Sequence, residues 1–328
     1  MGRRKRRGQG DHEDGPSRPP SRPTPRDELA QTVRDVVVAV VIVGIVFGGV
    51  MIYSQVWPPM VVIESSSMQH SGTESYVGVI DTGDLVFVQA ARSKADVVTF
   101  LDGRNTGYQT YGDYGDVLIF RRISSERGRF LGGDPIIHRA MVYLEWDPVG
   151  GGFDVPALDG PGNAGRWGCV AASPGCTTAR GADDLLGEIW ISSPGWNFTV
   201  NLNERRDTGQ RWSLDGQPYG NYVTKGDHNG NGRDSWVTPH EAIIGKARGE
   251  IPWFGLVKLT VAPTTSCCAY WGCVGTGSPC FATRNSWDAL AVSLIVVSTM
   301  PFALDLGLAY RELRRKRRRR PERQAARA

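Results

Sequence analysis

A long apolar run lies near the start of the chain. Residues 36–53 contain no charged side chain, and Val56 and Trp57 extend the run toward the roughly 20 residues that a helix needs to cross a bilayer. Ser54 and the residues after it offer no small-x-small site of the kind that ends a cleaved signal peptide. The pattern therefore predicts an uncleaved transmembrane helix over 33–57.

A second apolar run lies near the end of the chain, over residues 289–310. Pro301 and Asp305 interrupt it, but a helix that packs against a neighbour tolerates both. We expect a second transmembrane helix over 287–310.

Between these runs the pattern changes to short segments rich in Val, Ile, Phe and Tyr, which alternate with turns rich in Gly, Asp, Asn and Pro. Such segments predict β-strands. The fold class expected for residues 58–286 is mainly β, with strands at 60–63, 85–90, 97–101, 117–121, 136–143, 188–192, 198–202, 242–248 and 256–261. Residues 144–187 have many glycines and prolines, and we expect a loop-rich insertion there.

Charge gives the two helices an orientation. Arg and Lys fill residues 3–7 and 314–320, whereas the segment 58–286 has more acidic than basic residues. By the positive-inside rule, the tails 1–32 and 311–328 are cytoplasmic and the β domain faces outward, as in a multi-pass protein of an archaeal-like cell membrane. Residues 8–26 are too polar to bury a core, so we expect the first tail to be disordered. The basic runs lack interleaved aromatic residues, and a nucleic-acid partner is not expected.

The cysteines agree with an outward domain, because all six fall between the two apolar runs: Cys169, Cys176, Cys267, Cys268, Cys273 and Cys280. An even number in an extracytoplasmic segment indicates disulfides. A metal site is the alternative, but two Cys-x-x-Cys pairs are absent. Cys169–Cys176 is the expected local bridge, and the other pairings stay open.

Candidate chemistry begins directly after the first predicted strand, where a serine cluster ends in Ser67-Met68. Several short blocks follow in order along the chain. They are Gly83-Asp84-Leu85-Val86, Gly115-Asp116-Val117-Leu118, Ile136-Ile137-His138-Arg139, Thr224-Lys225-Gly226-Asp227 and Ile244-Gly245-Lys246-Ala247-Arg248-Gly249.

In this order the blocks resemble type I signal peptidases of the archaeal and endoplasmic-reticulum kind. The resemblance covers about half of the outward domain and implies a membrane-anchored β-fold serine endopeptidase that removes signal peptides after small residues. It implies Ser67 as the nucleophile and His138 as the general base, at a place where the bacterial kind has a lysine. Gln69-His70 departs from the usual continuation of the Ser-Met motif.

The resemblance also implies an aspartate that orients His138 and a second donor to the oxyanion. Asp234 fits the first role if one residue is inserted among the glycines after Asp227, which is the alternative and for which a turn-stabilising role is expected. Ser65 matches the position of the oxyanion donor in bacterial relatives. The implied partners are preproteins with signal peptides, the lipid bilayer and a secretion translocon. No cofactor and no metal are expected.

Other interpretations of these residues remain open. His138 shares a strand face with Ile136 and Ala140, so it could be a buried structural histidine. Lys225 or Lys246 could serve as a lysine base, and the loop from Asp227 imitates the start of a calcium loop but has Thr238 at its twelfth position. For the whole protein, the alternative is a catalytically silent membrane-anchored β domain that binds partners. A self-cleaving regulator would need a lysine base and a cytoplasmic DNA-binding part, which the sequence does not indicate.

The predicted topology can be tested with protease added outside spheroplasts. We expect digestion of segment 58–286 and protection of epitopes at both termini, because the basic tails stay on the cytoplasmic side. Permeabilisation is the control and should expose both epitopes. Loss of either one from intact spheroplasts would contradict the two-span topology.

Overall fold

Residues 25–123, 130, 132–204, 220–235, 238–262 and 282–325 are described by the computed structural model of this chain. The chain divides into two units, Met1–Ile52 and Tyr53–Ala328. Of the predicted sites, Cys267, Cys268, Cys273 and Cys280 lie outside the described residues.

The first unit is described as helix α1 (Pro25–Ser54). Its valine and isoleucine side chains are exposed along most of the helix, and the helix is long and apolar enough to cross a membrane. It ends at Ser54 and not at Trp57 as predicted. It also begins at Pro25, so residues 25–32 are helical and the prediction of a disordered tail is wrong there. Proline is well suited to a first helical turn, where its missing N–H is not needed.

The last helix of the second unit, α4 (Arg284–Ala325), continues through Pro301 and Asp305 without a break. Its first part is also long and apolar enough to span a bilayer. Two apolar helices near the ends of the chain therefore suggest membrane association.

Thirteen strands are described between these helices. They are β1 (Met60–Val62), β2 (Leu85–Gln89), β3 (Gln109–Thr110), β4 (Asp113–Tyr114), β5 (Val117–Phe120), β6 (Ile136–Asp147), β7 (Gly152–Asp154), β8 (Trp167–Cys169), β9 (Glu188–Ser193), β10 (Trp196–Asn201), β11 (Asn221–Lys225), β12 (Thr238–Pro239) and β13 (Ile243–Ile251).

Most of these strands belong to one antiparallel sheet. Its eight strands have the order β1-β2-β13-β5-β6-β11-β12, and β7 pairs with the far end of β6. A second sheet has the order β10-β9-β8, and β3 and β4 form a separate hairpin. The described domain is therefore mainly β, as expected.

Two predicted strands are helices. Residues 97–101 lead into α2 (Phe100–Thr106), because Thr99 and Asp102 form a capping box that bonds the free N–H groups of the first turn. Residues 256–261 belong to α3 (Gly255–Val261). Its buried residues Leu256 and Leu259 are three apart and pack with Leu290 of α4, which is the helical spacing and not that of a strand.

The insertion after β6 contributes to the main core. Its buried Phe153, Val155 and Leu158 pack with Val142 and Leu144 of β6 and with the inner face of the small sheet. The ordered insertion continues past residue 187, since β8 pairs with β9 and β9 with β10. The predicted Cys169–Cys176 disulfide is present, with an S–S distance of 2.08 Å.

A bulge in β6 decides which side chains face the candidate site. Tyr222 of β11 pairs with Tyr143, but Thr224 pairs with Ala140, so the strand β6 has one extra residue between these pairs. Both Met141 and Val142 consequently pack into the large core. Thr224 then shares a face with Ala140 and, two residues further, with His138.

Candidate active site

Ser67 lies in a tight turn shortly after β1. Residues Ser66–Met68 form a 3-10 turn, and buried Ile63 and Met68 anchor the chain on both sides of Ser67 in one hydrophobic cluster. The backbone N–H of Ile63 donates to the carbonyl oxygen of Asp84 at 2.9 Å, which ties this segment to the next strand. The anchors are buried while Ser67 stays partly exposed, so its hydroxyl is presented at the surface of a rigid turn.

Ser65 lies beside Ser67, as the spacing of two residues predicts. Their hydroxyl oxygens are 3.1 Å apart. The Ser65 hydroxyl is thus adjacent to the hydroxyl of the predicted nucleophile, whereas an oxyanion donor acts on the carbonyl oxygen of the bound substrate.

His138 is held in the middle of the main sheet. It pairs with Leu118 of β5, its ring lies 6.4 Å from that of Phe120, and it is 6% exposed. The predicted shared face is confirmed, because Ile136 and Ala140 pack in the cluster on this side of the sheet. The ring has little freedom to rotate, so the positions of its two nitrogens are set by the sheet.

Asp234 contacts one of these nitrogens. Its Oδ2 lies 2.7 Å from His138 Nδ1, and the pair is almost fully buried, with side-chain exposures of 5% and 7%. The same Oδ2 accepts a hydrogen bond of 2.5 Å from the Thr224 hydroxyl. The Asp234 backbone N–H also donates to the Thr224 carbonyl at 2.9 Å. Of the two aspartates considered, Asp234 is therefore the one that contacts the imidazole.

Asp227 has a different partner. Its carboxylate accepts two bonds from the Arg139 guanidinium, from Nε at 2.9 Å and from Nη2 at 2.6 Å. Arg139 is fully buried, and its Nη1 donates to backbone carbonyls of the β3–β4 hairpin, including those of Thr110 and Gly115. Asp227 thus stabilises the structure, as expected, but through a buried ion pair and not through its own backbone.

The far nitrogen of His138 and the Ser67 turn both lie close to Gly226. A methyl group on Gly226 would come within 2.4 Å of the Ser67 carbonyl oxygen and 3.0 Å of His138 Nε2. The Ser67 carbonyl also accepts a bond from the His228 backbone N–H at 2.9 Å. The loop at Gly226 therefore packs against both the serine turn and the histidine, and only glycine leaves both in place.

Comparison with known proteins finds no matching family model, no matching curated protein and no matching solved structure. The site is therefore interpreted from its sequence and geometry.

The two lysines considered as bases are engaged elsewhere. Lys225 Nζ donates to the Gly226 carbonyl at 3.0 Å and lies over the Trp196 ring, and its burial lowers its pKa. Lys246 Nζ pairs with buried Asp116 at 3.4 Å. His138 contacts the Asp234 carboxylate and lies beside Gly226, as the Ser67 carbonyl does. A second histidine, His70, lies with Nε2 3.7 Å from Asp227 Oδ2.

The loop from Asp227 does not fit a calcium site, because the carboxylate that would be the first ligand, that of Asp227, forms an ion pair with Arg139. A different acidic group, Asp147, Asp154 and Asp184, has carboxylate oxygens within 4.8 Å of one another. Each of these carboxylates already accepts a bond from a backbone N–H or from an arginine. One oxygen of this group, Asp184 Oδ1, is buried and has no hydrogen-bond partner among the described residues.

The loop that carries Asp234 is braced by the insertion. The Asn197 N–H of β10 donates to Asn231 Oδ1 at 2.9 Å. Arg233 Nε donates to the Thr199 carbonyl at 2.6 Å. Sequence reasoning missed this brace and the role of Thr224, because each depends on a pairing between segments that are distant along the chain.

Two acids of the domain, buried Asp84 and half-buried Glu250, have raised pKa values. Desolvation raises the pKa of Asp84 to about 7, although the backbone N–H groups of Trp253 and Asp81 bond its carboxylate and oppose the shift. Desolvation also raises the pKa of Glu250 to about 7, and the charge of Asp84 adds to this shift.

The raised pKa of Asp84 predicts that the free energy of unfolding depends on pH. Folded Asp84 keeps its proton up to about pH 7, whereas the unfolded chain releases it near pH 4. The folded state therefore binds more protons between these values, and the free energy of unfolding should fall as pH rises from about 4 to 7. Asp84→Asn should reduce this fall by on the order of 2–4 kcal/mol in denaturant titrations. Asp183→Asn at an exposed site is the control, and an unchanged slope in Asp84→Asn would contradict the assignment.

The two aspartates predict opposite effects of the same substitution. Asp234→Asn should leave thermal stability and substrate KM nearly unchanged but lower kcat by a factor of ~10⁴, because the histidine would lose the acceptor that sets its tautomer. Asp227→Asn should lower stability by up to about 3–5 kcal/mol, since it weakens the partner of a buried arginine. Calorimetry and cleavage assays on both variants measure this. Near-normal cleavage by folded Asp234→Asn would reverse the two roles.

Proposed function

We propose that this protein is a membrane-anchored serine endopeptidase of the signal peptidase kind. The observation that carries the proposal is the position of His138, which contacts the carboxylate of Asp234 through Nδ1 and whose Nε2 lies beside Gly226, as the Ser67 carbonyl oxygen does. A serine hydroxyl needs an adjacent base to become nucleophilic, and an oriented imidazole is such a base.

In the proposed reaction, Ser67 Oγ attacks the carbonyl carbon of the scissile peptide bond while His138 Nε2 takes the hydroxyl proton. Asp234 stabilises the imidazolium that forms, and it stays ionised. The imidazolium then donates its proton to the leaving amine, and the peptide C–N bond breaks. Water, deprotonated by His138, hydrolyses the acyl-enzyme and releases Ser67.

The oxyanion of the tetrahedral intermediate needs donors of its own. The Ser65 hydroxyl, 3.1 Å from Ser67 Oγ, and the Ser67 N–H are the groups we assign to this role. Each such donor stabilises the transition state by ~2.7–4 kcal/mol.

The substrate class follows from the sequence resemblance and from the sheet. Strand β1 ends just before Ser67 and stands at one end of the strand order. An extended segment of a preprotein that pairs beside β1 would bring a peptide bond to the serine. The two apolar helices would hold the site at the membrane, where a signal peptide also lies. We propose preproteins as substrates on this basis.

A catalytically silent β scaffold is the second candidate. It accounts for the mainly β fold and the apolar helices, but it gives no reason for a buried aspartate to orient a histidine toward a serine turn. Cleavage of a synthetic preprotein by the detergent-solubilised protein, with the cut located by mass spectrometry, separates the two candidates.

The nucleophile and base are tested by substitution in the same assay. Ser67→Ala and His138→Ala should each nearly abolish cleavage, and the double variant should be little worse than either, because both groups act in one step. Ser71→Ala and His240→Ala are the matched controls and should retain activity. Normal processing by folded His138→Ala, or by Ser67→Ala, would refute the proposal.

A further inference from the structure

Thr224 is a buried threonine in β11, and its hydroxyl makes a hydrogen bond that is not part of the backbone pairing of the sheet. Its hydroxyl donates to Asp234 Oδ2 at 2.5 Å, and this is the oxygen that also contacts His138 Nδ1. The hydroxyl of Thr238 lies 3.4 Å away on the other side. Thr224 and Thr238 are 0% and 1% exposed.

The bulge in β6 brings His138 to the face of Thr224. It shifts the register so that Thr224 pairs with Ala140, two residues from His138. In an unbulged strand Thr224 would stand opposite Met141, which packs into the core, and His138 would lie on the other face of the sheet. The meeting of His138 with the Thr224–Asp234 pair therefore depends on this irregularity.

We infer that Thr224 is a positioning residue for catalysis, and that it acts by holding the Asp234 carboxylate in the plane of the His138 imidazole. The inference rests on the proposed protease function. Because Oδ2 accepts from both Thr224 and His138, rotation of the carboxylate would break two bonds together. Thr224 also holds the Asp234 backbone through its own carbonyl, so the substitution of its side chain keeps this backbone bond and removes the contacts of the hydroxyl with the carboxylate and with Thr238.

The physical reason for a large effect is the burial of the pair. A buried carboxylate oxygen that loses one of two donors is less well solvated and freer to turn. His138 would then be held less often with Nε2 toward Ser67. The loss should appear in the chemical step and not in substrate binding, because Thr224 is buried beneath the site.

The test compares Thr224→Val, Thr224→Ser and Thr99→Val in the full-length solubilised protein. Thr99 is the matched control, a buried threonine whose hydroxyl also bonds a carboxylate, that of Asp102, at 2.6 Å. Thr224→Val should lower kcat about 10–100-fold with KM unchanged, which is the effect of losing a hydrogen bond to a charged group. Thr224→Ser should stay within about threefold of wild type. Thr99→Val should lower the melting temperature but keep kcat.

A double variant separates positioning from a general loss of structure. In an Asp234→Asn background, Thr224→Val should lower kcat less than about twofold further, because the group through which it acts is already removed. Equal losses in both backgrounds, an effect on KM alone, or wild-type kcat in Thr224→Val would overturn the inference. If Thr224→Val does not fold, Thr224→Ala removes the same hydroxyl and takes its place. A wild-type protein that fails to cleave would instead refute the proposed function.

Discussion

The buried ion pair between Arg139 and Asp227 is the interaction on which the site depends. A fully buried guanidinium is costly unless all its donors are bonded, and here the carboxylate and the carbonyls of the β3–β4 hairpin bond them. The pair connects the strand that carries His138 to the loop that carries Gly226. It therefore holds this loop against the strand of the histidine, although neither charged group takes part in the proposed chemistry.

Two neighbouring residues of β6, His138 and Arg139, lie on opposite faces of the sheet and contact different aspartates. His138 faces the cluster with Phe120 and contacts Asp234, whereas Arg139 points the other way and bonds Asp227. Both aspartates come from one loop, so each half of the loop is held by one residue of the strand. This arrangement explains how a glycine-rich segment can keep a carboxylate in a defined place.

The sequence predicts well what depends on local patterns. The strands near residues 60, 85, 117 and 136 are predicted by their content of β-branched and aromatic residues, and the face of His138 follows from period two. The strand predicted at 97–101 fails because the capping bonds of Thr99 outweigh the apolar composition around it. The meeting of His138 with Thr224 and Asp234 could not be predicted, because it needs both the pairing of β6 with β11 and the position of a bulge. The pairing of Asp227 with Arg139 likewise joins residues far apart in the chain.

The brace from β10 to the loop of Asp234 has a consequence for shortening the protein. In the sequence, the glycine-rich stretch after β6 is a loop-rich insertion, and its deletion would be the obvious way to make a smaller β domain. In the fold, the edge of this insertion supplies the Asn197 N–H and the Thr199 carbonyl that hold Asn231 and Arg233. A protein without the insertion would need a new hydrogen-bond donor for Asn231 and a new acceptor for Arg233. The insertion therefore supports the loop that carries Asp234.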